Sequence, residues 1–383
     1  MALTEQLDRL AGFEPAPYPV VSLYLDTRPN QHGRDQHQAF TRKELKARSR
    51  TYPVNSPERE SLEGDIERIT RFLENDLDPA ANSVAIFACS AGELFETIQS
   101  AGEIPQHALH IGDRPHLYPL ARLESQSPRY VAVVTDTNTA HILVFSAGEL
   151  VSEREVKSVK TRGTSQGGWS QARYQRHLEN FHLHHIKEVV EALDRIVQEE
   201  GITQILISCD EVTLPLLREQ LPKHLSDKVV DHIRLEAHAA AAEVLNASID
   251  AMNTVNAKND REKVNAAIGA YRAGGLGVLG PEDTLAALMK GQADELLITA
   301  DLQRIQAVPI GTTVGTANDA TIAEPVLEAI SAGEPAGTQP EIVRLADELV
   351  AKARQTGARI TFIEDPELLS DYGGVAALLR FRI

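Results

Sequence analysis

The sequence predicts an α/β protein built as three domains, and three observations carry that expectation. Apolar runs of strand length alternate with segments of helical period from one end of the chain to the other. A chain of 383 residues is long enough for two or three separate cores. The composition, 42% hydrophobic and 24% charged with no run of membrane-span length, is that of an ordinary globular protein.

Taken in order, residues 1–10 read as a short amphipathic helix, and without a charged start followed by an apolar stretch they give no export signal. Residues 20–25 alternate into a strand. Residues 58–77 carry Leu62, Ile66, Ile69, Phe72 and Leu73 at helical spacing, and residues 83–89 read as a strand buried on both faces. Gln126, Ser127 and Pro128 mark a boundary, so the first domain is expected over 1–125. A second, over 126–236, opens with a hairpin-like pair (130–136 and 141–145) around Thr137-Asn138-Thr139 and a third strand at 149–159. A long helix from about 172 to 200 ends at Gly201. A strand at 204–208, a helix at 211–220 and a strand at 228–233 complete a mixed sheet. The third domain, 237–383, follows from an alanine-rich helix over 236–270 that is broken by Gly274, Gly275, Gly277 and Gly280. It continues with helices at 281–290, 322–331 and 340–356 and strands at 295–299, 359–363 and 375–380.

Charge is unevenly spread. The chain carries a formal net charge of -17, yet the window from Lys157 to Lys187 holds six Lys or Arg (Lys157, Lys160, Arg162, Arg173, Arg176, Lys187) against Glu179 alone. An acidic body with a local basic protrusion fits contact with a polyanion, and RNA is the first candidate. Coating of DNA or of an anionic membrane by the whole surface is not expected. Cys89 and Cys209 lie in apolar runs and form no CxxC, which reads as buried thiols in a reducing cytoplasm.

Within the basic window, Gly167-Gly168-Trp169-Ser170-Gln171 admits several readings. It is a plain turn before a helix. It is a hydrolase-like Gly168-Trp169-Ser170-Gln171-Ala172, although about ten loop residues separate Ser170 from the preceding strand, where a nucleophile elbow needs a sharp strand-to-helix turn. It lacks the Gly-Lys-Ser/Thr ending of a phosphate-binding P-loop. Or it is a loop that carries Gln171 into an RNA site, the one reading that also explains the charge. Elsewhere, His177, His182, His184 and His185 do not share one helix face, so no metal site is expected there. Asp136 and Asp210 each follow a strand and read as turn or cap residues in preference to a two-metal pair. Gly275-Leu-Gly-Val-Leu-Gly280 matches a dinucleotide fingerprint but follows a helix, outside that motif's required context.

Several stretches carry a resemblance. They are Tyr130-Val-Ala-Val-Val-Thr-Asp-Thr-Asn-Thr-Ala-His-Ile-Leu-Val-Phe145, the run from Gly167 to Asn180, Gly280-Pro-Glu-Asp-Thr-Leu-Ala-Ala-Leu-Met289 with the residues up to Thr299, and Gly373-Gly-Val-Ala-Ala-Leu-Leu-Arg-Phe381. In this order they resemble the archaeal and eukaryotic class-1 release factor and Pelota superfamily, in its bacterial branch. The resemblance implies an RNase H-like central domain with a basic loop and long helix, and a C-terminal α/β/α domain similar to kink-turn-binding ribosomal-protein-like domains. It also implies ribosomal RNA and tRNA as partners, with a translational GTPase as a candidate second partner, and no cofactor.

The superfamily's Gly-Gly-Gln is interrupted here by Trp169 and Ser170, leaving a G-x-x-Q that is similar to the peptidyl-tRNA hydrolases of ribosome quality control. No stop-codon-reading Asn-Ile-Lys-Ser occurs in residues 1–125. The implied roles are Gln171, Gly167 and Gly168 as the catalytic loop and Lys157, Lys160, Arg162, Trp169, Arg173 and Arg176 on RNA. The implied activity is hydrolysis of peptidyl-tRNA in ribosome rescue. The alternatives are a non-catalytic hibernation factor of the Balon type that occupies the A site, and, more remotely, a serine esterase using Ser170.

Overall fold

The computed structural model describes residues 3–14, 17–28, 36–100, 104, 106–126, 129–146, 149–157, 171–236, 238–306 and 341–382; for residues 171–179 it describes the backbone alone. The protein is α/β, with sheets of four, five and four strands among the described residues. Met1–Gln126 and Asn259–Ile383 form one compact unit, and Ser127–Lys258 form another.

The N-terminal part of the first unit contributes the helix α1 (Leu3–Ala11), the strand β1 (Val20–Asp26), the helices α2 (His37–Ser49) and α3 (Pro57–Asn75), the strands β2 (Ser83–Cys89), β3 (Leu94–Ser100) and β4 (Ala108–Gly112), and the helix α4 (Tyr118–Gln126). The sheet order is β3-β2-β1-β4, antiparallel throughout. Strand β2 is buried along its whole length, as its unbroken apolar run predicts for a strand covered on both sides. One side, with Val21, Leu23, Leu25, Val84 and Ile86, packs on Leu45 of α2 and on Leu62, Ile69 and Phe72 of α3. Helix α3 starts where Ser56 Oγ accepts from the Arg59 N–H at 3.2 Å and Pro57 opens the first turn. Sequence periodicity missed α2, β3, β4 and α4, the last of which lies in the stretch leading to the expected boundary at Gln126.

The second unit is a meander followed by two parallel additions. Strands β5 (Tyr130–Thr135), β6 (Thr139–Ser146) and β7 (Glu149–Lys157) pair antiparallel; the helix α5 (Gln171–Glu199) then leads to β8 (Gln204–Cys209), which pairs parallel with β5. The helices α6 (Thr213–Gln220) and α7 (Lys223–Ser226) precede β9 (Val229–His232), giving the order β7-β6-β5-β8-β9. This is the mixed, RNase H-like sheet that the resemblance implies. One face packs under α5, through Val131, Val133, Ile142, Val144, Ile205 and Ile207. The other face packs under the start of α8 (Ala241–Arg272), through Val244 and Met252. Helix α8 begins at Ala241 and not at 236, because the Ala239 N–H turns back to the Glu236 carbonyl at 3.0 Å.

The C-terminal part of the first unit holds β10 (Gly277–Leu279), α9 (Pro281–Met289), β11 (Ala293–Thr299), α10 (Glu341–Gln355), β12 (Arg359–Ile363) and β13 (Val375–Leu379), with the order β10-β13-β11-β12 and a parallel β11–β12 pair. The expected helix over 322–331 lies outside the described residues. The glycines of the false fingerprint have structural reasons. A Cβ on Gly277 would stand 2.6 Å from the Tyr271 nitrogen of α8, and Gly280 caps α9 at φ 89°.

A single core joins the two parts of this unit. Leu7, Leu10, Tyr24, Phe87 and Leu120 cluster with Leu296, Ile298, Leu349, Val350 and Val375. At its centre the fully buried Asp347 of α10 lies 2.8 and 2.9 Å, through its two oxygens, from Nδ1 of buried His116. Asp347 Oδ1 also accepts from the N–H groups of Leu117 and Tyr118, and Ser22 Oγ accepts from the His116 N–H.

Candidate functional site

The candidate loop is framed by β7 and α5. Lys160, Arg162, Gly167, Gly168, Trp169 and Ser170 lie outside the described residues. Strand β7 ends at Lys157, and Gln171 is the first residue of α5, one position earlier than the helix start expected from the sequence. Gln171 therefore sits where backbone N–H groups have no partner within the helix and where the helix dipole is positive. Arg173 and Arg176 follow within the first two turns, three residues apart.

The far part of α5 is fixed by an apolar stripe. Ile186, Val189, Val190, Leu193, Ile196 and Val197 recur at helical spacing and pack on the sheet. Among the described side chains of α5, His185 is the first that is fully covered, and residues 180–184 are half-buried or exposed.

A turn at the end of the sheet supports that point. Asp136 Oδ1 accepts from the N–H groups of Asn138 (2.6 Å) and Thr139 (2.7 Å) and from the Thr139 hydroxyl (3.2 Å). Burial works to raise the Asp136 pKa, and these bonds outweigh it and hold the carboxyl below its ordinary value. His185 hydrogen-bonds the Thr139 backbone. Its burial keeps the imidazole pKa below the usual value despite that bond and the nearby Asp136 charge. Asp136 and His185 thus act together as supports for the helix that carries Gln171. The sequence marks Asp136 as a turn residue and does not connect it to the helix.

Asp210 lies beside Asp136 because Thr135 and Cys209 are paired on neighbouring parallel strands. Asp210 Oδ1 accepts from the Thr213 N–H at 2.6 Å, so both carboxylates serve as turn and cap acceptors. The histidines of α5 diverge: exposed His184 pairs with Glu188 at 3.4 Å, while His185 points into the core. Among the described residues no group of three or more His, Cys, Asp or Glu side chains is arranged to hold a metal ion.

The approach to the loop along β7 is balanced in charge. Lys157, the one candidate RNA-contacting residue with a described side chain, is exposed and pairs with Glu155 at 2.7 Å. That bond, ahead of a small opposing effect of burial, holds the Glu155 carboxyl below its ordinary pKa. His141 on β6 lies 3.0 Å from Glu153 and 3.7 Å from Glu155, and the His238 ring meets it edge-on. Among the described residues no helix is long and apolar enough to cross a membrane.

A five-stranded mixed sheet followed by a long helix, in a chain whose other unit has two sheets of its own, defines a class of multidomain α/β proteins. Residues 115–252 match the family model of bacterial archaeo-eukaryotic release factor family 10, and residues 259–383 match that of eRF1 domain 3. The chain is a bacterial archaeo-eukaryotic release-factor-like protein. No curated protein matches it. Among solved structures it is similar to the archaeal translation termination factor aRF1, at 15% identity over 99% of this chain and 97% of that one, with a TM-score of 0.24. It is also similar to S. cerevisiae Dom34, a translation termination-like factor involved in RNA quality control pathways and interacting with Hbs1 (9%, 78% and 81%, TM-score 0.42). A third is Archaeoglobus fulgidus Pelota (13%, 79% and 80%, TM-score 0.33).

Proposed function

We propose that this release-factor-like protein binds the ribosome and hydrolyses peptidyl-tRNA on stalled or split particles, with Gln171 positioning the attacking water. The observation that carries this reading is the place of Gln171 as the first residue of α5, directly after Gly167-Gly168-Trp169-Ser170 in the basic window. A glutamine cannot act as a general base. Its amide, together with the unpaired N–H groups of a helix start, can orient water and meet the charge that develops on the ester oxygen. Gly167 and Gly168 allow close backbone approach to an RNA wall, and Trp169 offers a ring for an exposed base. Lys157, Lys160, Arg162, Arg173 and Arg176 would hold phosphates. The ribosome supplies the rest of the site, and a translational GTPase is part of the same proposal as second partner.

One observation favours a second reading. The superfamily's Gly-Gly-Gln is split by Trp169 and Ser170, which suits a factor that occupies the A site without cleaving. The deciding experiment is release of labelled peptide from ribosomes carrying P-site peptidyl-tRNA, wild type against Gln171→Ala at matched occupancy. Release by the wild type and its loss in the variant support hydrolysis. Tight binding without release by either protein makes this an occupying, hibernation-type factor. Labelling of Ser170 by a fluorophosphonate probe would point instead to an esterase.

A further inference from the structure

Helix α2 carries a second concentration of positive charge. Residues 42–50 hold Arg42, Lys43, Lys46, Arg48 and Arg50 against Glu44 alone, in a chain with 55 Asp and Glu to 38 Lys and Arg. The buried residues of α2 are His37, Thr41, Leu45 and Ser49, an i, i+4 row that seats the helix on its neighbours and fixes which side faces out. At 3.6 residues per turn Arg42, Lys46, Arg50 and Lys43 fall within an arc of about 100° on the outward side. All four are exposed.

Local acids do not absorb this stripe. Arg42 meets Glu74 at 3.2 Å and Lys43 meets its neighbour Glu44 at 3.6 Å, both on exposed surface where such pairs are worth roughly 0–1 kcal/mol. Lys46 and Arg50 make no ion pair among the described residues. The helix dipole favours cations only in the last turn, so it accounts for Lys46 and not for Arg42 or Lys43.

We propose that the outward stripe of α2, Arg42, Lys43, Lys46 and Arg50, is a second RNA-contacting surface that grips the phosphate backbone, separate from the loop before α5. From residue 42 to 50 the stripe runs about 12 Å at 1.5 Å per residue, a line that reaches along three or four phosphates of one strand. It offers charge without an exposed aromatic ring among its members, so it positions RNA and does not read sequence. A membrane is a poor fit: the opposite face of α2 is buried in the protein core and cannot enter lipid. The surface needs none of the chemistry assigned to Gln171, and it stands if the loop proves to be only a contact.

The test uses the full chain with Arg42, Lys43, Lys46 and Arg50 changed together to Gln, and a milder Lys46→Gln, Arg50→Gln pair in case the first variant folds poorly. Binding is measured across a salt series to two probes, purified ribosomes and ribosomal RNA freed of protein. The expected result is weaker binding to both probes and a salt slope shallower by about one for each phosphate no longer gripped. An Arg173→Glu, Arg176→Glu variant should lose slope independently of the α2 changes. Unchanged slope on the free RNA with either α2 variant overturns the proposal. Weakened binding to ribosomes with unchanged binding to free RNA overturns it too, since the stripe would then face a protein. Should the wild type ignore ribosomes altogether, the proposed function fails, and the RNA arm still decides the fate of the stripe.

Discussion

Replacing Asp65 with Asn stabilises the first unit at neutral pH. Asp65 lies on α3 with its side chain fully covered; Oδ1 accepts from Ser90 Oγ at 2.7 Å, and Oδ2 has no hydrogen-bond partner among the described residues. Burial pushes its pKa up to about 6 from an ordinary 3.8, with Ser90 and Arg68 opposing the rise. A shift of about two units corresponds to about 3 kcal/mol between the protonation states, so the ionised carboxyl costs up to that much when the protein is folded above pH ~6. The sign follows from the direction: a raised folded-state pKa means the folded chain holds its proton longer. The penalty is therefore absent below the unfolded pKa near 4, grows between about 4 and 6, and is constant above.

Asparagine keeps the acceptor for Ser90 and removes the charge, while its buried NH₂ forgoes a partner at a cost of about 1 kcal/mol. The net gain at pH 7 is about 2 kcal/mol, or roughly 4–8 °C in Tm for a unit of this size. Thermal and urea melts of wild type and Asp65→Asn across pH ~4.5 to 7.5 measure it. The variant's advantage should be present at pH 7 and vanish, or reverse, near pH 4.5. A variant that is less stable at pH 7, or whose difference from wild type does not change with pH, refutes the reasoning.

Asp347→Ala should cost about 3–5 kcal/mol in a melt, because it leaves buried His116 without its partner and two backbone N–H groups without an acceptor. Asp347→Asn, which keeps an acceptor oxygen, should cost less. Gly374→Ala should lower Tm far more than Gly291→Ala: both sit at positive φ, but a Cβ on Gly374 would lie 2.8 Å from Arg304 O and Thr299 Cγ2, whereas Gly291 faces open space. Gln171→Ala should leave the melting curve within about 0.5 kcal/mol of wild type if the residue serves function and not packing.

The parts of this protein that were legible in its sequence are those whose burial is written in apolar residues. Strands β2, β5 and β13 are almost wholly apolar, β8 and β11 carry the apolar cores Ile205–Ile207 and Leu296–Ile298, and the stripe of α5 keeps a clean helical period. Helix α2 was silent because its buried row is His37, Thr41, Leu45 and Ser49, which gives no hydrophobic period to read. Strand β3 mixes Glu96, Thr97 and Gln99 among its apolar residues, and only Ile98 is fully buried. The link between His116 and Asp347 spans 231 positions, and a periodic pattern names a buried face without naming what covers it. At the candidate site, the turn made by Asp136 could be read from the residue type. Its meeting with His185 could not, since it depends on how α5 crosses the sheet.

The shared core of the first unit sets an order of events during synthesis. Leu7, Leu10, Tyr24 and Phe87 are covered in part by Leu349 and Val350, which leave the ribosome only after the whole of Ser127–Lys258 has been made. At about 5–20 residues per second that interval is roughly 10–50 s. Through it the N-terminal sheet waits with one apolar face incomplete, while the inserted unit has every strand and helix it needs and can fold first. A nascent chain halted before residue 341 should therefore hold a finished second unit together with an unfinished first one whose apolar face is still uncovered.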